Sequence, residues 1–287
     1  MATDLFNLNG VPPKVIAQRT WTAICTDEVF GRSAQLAYYF FLALFPFLIC
    51  VIASLSVVGS ADRGRALLFE LFERFLPPPA FQLISQAFSG ILQSGGPLKM
   101  SFGIIASLWS ASLGVGAMMD TLNAAYNVKE TRSLIKHYAV AIGLTCGVGL
   151  LLIASVVILI FEQQVMAAPT SNVFAATAWS FTRWLQAPVA ALLALAVMYF
   201  FGPNLHNRKW HWITPGAIVA VFLLMLVSVG SRAYIHYFAR YNLTYGSLGA
   251  VIVLLLVFYL SGVAVLSGGV LNAVLESAAK SSISEPT

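Results

Sequence analysis

The stretch VIVLLLVFYLSGVAVL (Val251–Leu266) decides the fold. It carries no charge, and the uncharged run extends outward to about Leu248–Val274. Crossing the hydrocarbon core of a bilayer takes about 20 apolar residues. The run does not alternate apolar with polar, as a transmembrane barrel strand would. In lipid it must satisfy its own backbone, so it is read as a helix. Five earlier segments have the same character: Ala34–Gly59, Met100–Met119, Tyr138–Phe161, Trp184–Phe201 and Ile213–Gly230. The expected fold is all-α, a polytopic membrane protein with six transmembrane helices plus interfacial amphipathic helices.

Composition agrees with that reading. Of 287 residues, 59% are hydrophobic and 9% charged, and the mean hydropathy is +0.83. Soluble domains carry roughly 25% charged residues, and disorder needs low hydrophobicity. Both classes are excluded. The net charge is +5, but the 16 Lys and Arg residues are spread over every loop. Without a dense basic patch, no nucleic-acid partner is expected. Cys25, Cys50 and Cys146 show neither zinc spacing nor a disulfide framework.

Three regions follow. Residues 1–33 mix Asp4, Asp27 and Glu28 with Lys14, Arg19 and Arg32 and lack an early apolar core, so they are not a signal peptide. Pro12 and Pro13 can open a helix there, with Trp21, Ile24, Cys25 and Val29 on one face, as an interfacial segment. Residues 34–276 form the six-span domain, and 277–287 a short polar tail. An even number of spans puts both termini on one side. Nine Lys and Arg residues fall on that side and seven on the other, which makes the termini cytoplasmic.

The longest gap between spans, Ser60–Lys99, reads as two short amphipathic helices broken by Pro77, Pro78 and Pro79. Leu67, Leu68, Leu71, Phe72 and Phe75 share a face in the first. Phe81, Ile84, Phe88, Ile91 and Leu92 do so in the second. They fit helices lying on the membrane surface, or a lid over a cavity.

The chain lacks HExxH, GxSxG and P-loop motifs. His206 and His211 are spaced off a single helical face, and a metal site needs three or four ligands. The carboxylates show no cluster of the kind a metal-dependent nuclease uses. No cofactor, no metal and no enzymatic activity are therefore expected. Polar groups inside or at the ends of spans are more informative, because burying them in lipid is costly. Asp120, Asn123 and Asn127 form one stripe at the end of span two, with Tyr126 beside them. Asn272 and Glu276 repeat the pattern in span six. Pro46 and Pro188 interrupt spans one and four. Small residues recur in span two (Gly103, Ser107, Ala111, Ser110, Gly114) and in span three (Gly143, Gly147), a spacing that lets helices approach closely.

Several motifs then add a resemblance. AYYFFLALFP (Ala37–Pro46), LWSAS (Leu108–Ser112), LNAAYNVKETRS (Leu122–Ser133), FGPN (Phe201–Asn204), PGAIVA (Pro215–Ala220), YGSLGAVIVLLLVFYLSG (Tyr245–Gly262) and LNAVLE (Leu271–Glu276) follow one another in an order and spacing that resembles the YihY/BrkB family of bacterial inner-membrane proteins. The resemblance covers about residues 15–276. It implies six spans in the bacterial inner membrane, names linked to virulence or serum resistance, and transport connected with the cell envelope. An older family label, a transfer-RNA-processing ribonuclease, is a misnomer on the residue inventory above. Two departures stand out. The family's GAELNA is GGVLNA here, which puts Val270 where an acid is expected and counts against proton coupling through it. The family's SLFP is ALFP, with Ala43 replacing the hydroxyl.

The resulting expectation is a transporter or exporter of an amphiphilic, envelope-related molecule such as a lipid or precursor. Tyr38, Tyr39, Pro46, Asp120, Asn123, Tyr126, Asn127, Tyr245, Asn272 and Glu276 would line its path or gate. Membrane lipids and an amphiphilic small molecule are the expected partners. The alternatives are a non-transporting scaffold that binds lipid or a partner protein and, more remotely, a membrane hydrolase.

Overall fold

The computed structural model describes residues 11–57, 97–166, 173–205, 213–238 and 247–284, together with the isolated Ser85. Apart from Ser85, the expected amphipathic pair in Ser60–Lys99 falls outside these residues up to 96, as does Tyr245. Seven helices and no strand are found among the described residues: α1 (Pro13–Thr26), α2 (Val29–Val57), α3 (Pro97–Ala125), α4 (Leu134–Met166), α5 (Val173–Phe201), α6 (Pro215–Phe238) and α7 (Ser247–Ser284).

α3, α4, α5 and α7 each contain one of the apolar segments read from the sequence and outrun it at one or both ends, while α2 and α6 cover all but two residues of theirs and extend beyond it at the other end. α5 begins at Val173, well before Trp184, and stays helical through Pro188. α7 runs on to Ser284, through most of the expected polar tail. Two stretches, Leu134–Ser155 and Val251–Ala279, are long and apolar enough to cross a membrane, and Leu185–Phe201 and Pro215–Ser231 are shorter apolar helical stretches.

The six long helices close into a ring. α2 packs on α3, α3 on α4, α4 on α5, α5 on α6, α6 on α7, and α7 returns to α2, most extensively at its contacts with α6 and α2. α7 also touches α3, so α2, α3 and α7 pack mutually. The buried core gathers there: Leu36 of α2, Met119 and Leu122 of α3, and Leu266 and Val270 of α7. α1 lies against α7, with Ile16 packed on Leu275, Leu271 and Val274. The outward faces are apolar, among them Ile105, Leu150, Ile158, Val229 and Ile252.

Small residues set the closest approaches. A side chain on Gly216 of α6 would strike the backbone of Gly268 on α7, and one on Gly268 would strike Gly216 and lie 2.7 Å from both Ala220 and Tyr199. A Cβ on Gly114 of α3 would lie 2.8 Å from Tyr39 of α2. Where lipid tails are as apolar as the helices, such close contact is what holds helices together. Gly143 and Gly147 of α4 behave differently, with nothing among the described residues within 4 Å of an added Cβ.

Candidate functional site

Several of the polar side chains that the sequence singles out collect at one end of the ring, where α3 and α5 finish, α4 and α6 begin and α7 passes by. Two hydrogen-bonded assemblies meet there.

The first is built on the turn after α3. The Asn127 N–H donates to Ala124 O at 2.9 Å and the Val128 N–H to Asn123 O at 2.9 Å. This pair of bonds is the Schellman ending, which needs a left-handed residue at its centre. Asn127 supplies it, with φ 52°, and Asn tolerates that region better than most side chains. The turn leads into residues 128–133, which cross the end of the bundle. Asn123, 4% exposed, holds this loop with both ends of its amide. Its Nδ2 donates to Glu130 Oε2 at 2.9 Å, and its Oδ1 accepts the Asn204 N–H at 2.7 Å. The Asn204 side chain donates to Thr131 Oγ1 at 2.7 Å and to Lys129 O at 3.3 Å.

Arg132, whose side chain is 6% exposed, lies 3.8 Å from Glu130 Oε1. Its guanidinium donates to the carbonyls of Gly202 and Pro203 at 3.3 and 3.1 Å. Those carbonyls terminate α5 and have no helical partner of their own. The Arg132 N–H donates to Glu130 Oε1 at 2.9 Å. Burial by itself would raise the Glu130 carboxyl. The Arg132 N–H, the Asn123 amide, the His137 ring and the Arg132 charge outweigh it and hold the group below the usual carboxylate range.

His137, in the first turn of α4, stands between two carboxylates. Its Nδ1 is 3.3 Å from Glu130 Oε2 and its Nε2 is 3.9 Å from Asp120 Oδ1. Donor atoms of Asp120, Glu130 and His137 all lie within 4.8 Å of one another, close enough to consider a metal ion. Both Glu130 oxygens already accept hydrogen bonds, and each ring nitrogen already faces a carboxylate. The arrangement therefore suits a shared proton better than a metal. Asp120 and His137 are 17 positions apart, and the sequence reading paired neither with Glu130. The available signal was register: in an α3–α4 hairpin, residues at similar distances from the turn come face to face.

The second assembly joins α6 to α7. Asn272, 2% exposed, accepts the Gly216 N–H on Oδ1 at 2.8 Å and donates from Nδ2 to Thr214 Oγ1 at 2.9 Å. Thr214 Oγ1 also accepts the Ala217 N–H at 3.2 Å, as an N-cap does. Asn272 thus completes the cap of α6 from a neighbouring helix. Nearby, the buried Tyr199 hydroxyl donates to Val265 O of α7.

The remaining candidates are dispersed. Tyr38 is 57% exposed on α2 and meets Tyr39 edge to face at 5.7 Å. Pro46 lies within helical α2. Burial, with the charge of Glu276 behind it, pushes the Tyr126 phenol above its ordinary value. Asn123 and Asn272, expected on a path or gate, hold helix ends.

No solved structure matches the chain. The UPF0761 membrane protein Smlt0865 of Stenotrophomonas maltophilia (strain K279a) is 31% identical over 265 residues, covering 88% of this chain and 58% of that protein. A UPF0761 membrane protein of Xanthomonas axonopodis pv. citri, XAC0937, is 27% identical over 254 residues, 86% of this chain and 58% of the relative. The chain thus spans little more than half the length of these two relatives. The ribonuclease-like protein YfkH of Bacillus subtilis (strain 168) is 33% identical over 254 residues, 87% of this chain and 91% of that protein. The family described as virulence factor BrkB matches residues 20–286, from within α1 to beyond the end of α7. A match through every long helix, alongside relatives named as membrane proteins, makes this chain a membrane protein of the BrkB virulence-factor family.

Proposed function

We propose that the chain is a six-span inner-membrane transporter for an amphiphilic, envelope-related molecule. The observation that carries this reading is the closed ring of α2 to α7, six long apolar helices with their polar groups gathered at one end. Transport needs two faces and a route between them, and a ring of helices offers seams that can part. In this reading both termini lie in the cytoplasm. Membrane lipids surround the outward apolar faces, and Tyr38, Tyr39, Tyr126 and Glu276 lie along the route. Asn123 and Asn272 act by holding its mouth in shape. The low charge of the spans favours an amphiphile over a small ion, and no enzymatic step, nucleic acid or cofactor enters the scheme.

The test is reconstitution. Purified protein in liposomes should speed the transbilayer movement of a fluorescent phospholipid probe, and native mass spectrometry should find a lipid or precursor bound in stoichiometric amount. Tyr38→Ala and Tyr126→Ala should slow the movement several-fold while the protein remains folded. Empty-liposome rates with the wild-type protein, and only bulk lipid bound, would overturn the proposal. They would favour the scaffold reading, which draws on the open face of α4 at Gly143 and Gly147.

A further inference from the structure

We propose that His137 is a proton-operated clasp between α3 and α4. This goes beyond the transport reading and does not rest on it.

The geometry is asymmetric. Nδ1 lies 3.3 Å from Glu130 Oε2, within hydrogen-bond reach, whereas Nε2 lies 3.9 Å from Asp120 Oδ1, outside it. A neutral imidazole has one N–H. With that proton on Nδ1, the ring donates to Glu130 and turns the bare Nε2 lone pair toward the Asp120 carboxylate. Two acceptors then face each other across the 3.9 Å gap. A proton taken from water onto Nε2 makes it a donor, and the ring can then bond both carboxylates at once. No other bond changes.

The surroundings favour this use. Glu130 is anchored by Asn123 and Arg132, so one jaw of the clasp is rigid. Asp120 is 54% exposed, so the other jaw can move and water can reach it. Gly116, one turn before Asp120, lies beside the ring, where an added Cβ would make ordinary van der Waals contact with Nε2 at 3.5 Å. The titratable and charged groups around the ring are Asp120 from α3 and Glu130 and Arg132 from the loop. Arg32 of α2 acts on the charge of Asp120. In the same turn of α4, Tyr138 meets the ring edge to face at 5.8 Å, and Lys136 is exposed. Histidine is the side chain whose charge changes between about pH 5 and 8. The clasp would tie the end of α3 to the start of α4 in acid and release it in base.

The test is amide hydrogen exchange of the full chain in lipid nanodiscs at pH 5.5 and 8.0, corrected for intrinsic rates. In the wild type, the first hydrogen-bonded amides of α4 (His137–Ala141) and the last turn of α3 should be roughly tenfold better protected at pH 5.5, as expected for one added charge-assisted bond. His137→Gln should remove the difference. Asp120→Asn, at an exposed position, should also remove it while the fold persists. Equal protection at both pH values in the wild type, or the full difference retained in either variant, would overturn the proposal.

Discussion

The two polar assemblies at the end of the bundle both centre on a buried asparagine, yet they are built from different materials. Asn272 joins α6 to α7 with neutral groups alone: a hydroxyl, a backbone N–H and an amide, beside two glycines whose backbones nearly touch. Asn123 joins α3 to the loop before α4 and to Asn204, and its principal side-chain partner is charged, the Glu130 carboxylate flanked by Arg132 and His137. A neutral clasp in an apolar crossing holds equally well at any pH. A clasp assembled on charges sits where water and protons can reach it, and its strength varies with their supply. The protein thus has a fixed joint and an adjustable one at the same end.

The comparison breaks hardest at the fixed joint. Gly268→Val should cost about 3 kcal/mol or more, because the new side chain meets backbone that cannot move aside. A large fall in the thermal midpoint in detergent, or failure to recover folded protein, is the expected result. A midpoint near wild type would mean that α6 and α7 are not so close.

Asn272→Leu should cost less, about 2 kcal/mol, by leaving the Gly216 N–H without its buried partner. This loss should be the same at pH 4 and pH 7, since no titrating group takes part. A loss that varied with pH would remove the contrast between the joints.

Glu130→Gln should have the smallest effect at neutral pH, about 1 kcal/mol, and the clearest pH signature. The folded state holds the Glu130 carboxyl below its ordinary range. Its contribution is therefore fully present above the unfolded carboxylate value and is lost as pH falls through the folded one. Wild-type stability should drop toward pH 3 by more than that of the variant. Parallel melting curves from pH 7 to 3 would show that the charge adds nothing to this joint.

Much of the fold was legible from Val251–Leu266 and its five counterparts, because an apolar run of that length has few ways to exist except as a helix. The closeness of helices was partly legible in the same way. Gly114 does sit against Tyr39, while Gly143 and Gly147 meet nothing within 4 Å among the described residues. Spacing shows that a face is small, and it does not show which helix lies across from it.

The site was legible as residues and illegible as partners. Asn123, Asn127 and Asn272 stand out in the sequence because polar groups near lipid are costly. Their roles depend on residues far along the chain: Asn123 on Glu130 and Asn204, Asn272 on Thr214 and Gly216. Asn127 turned out to matter through its backbone, in a left-handed turn that no apolar periodicity reveals. Arg132 and Glu130 read as ordinary loop charges until the loop is laid across the end of α5.

By itself, then, the sequence determined that this protein is helical and apolar and where its long helices run, because burial in lipid and backbone satisfaction are properties of a local stretch. Only the tertiary structure decided that His137 stands between Asp120 and Glu130 and that one asparagine joint is neutral and the other charged. Hydrogen bonds and ion pairs act over about 3 to 4 Å, and which groups come that close is set by how the helices pack.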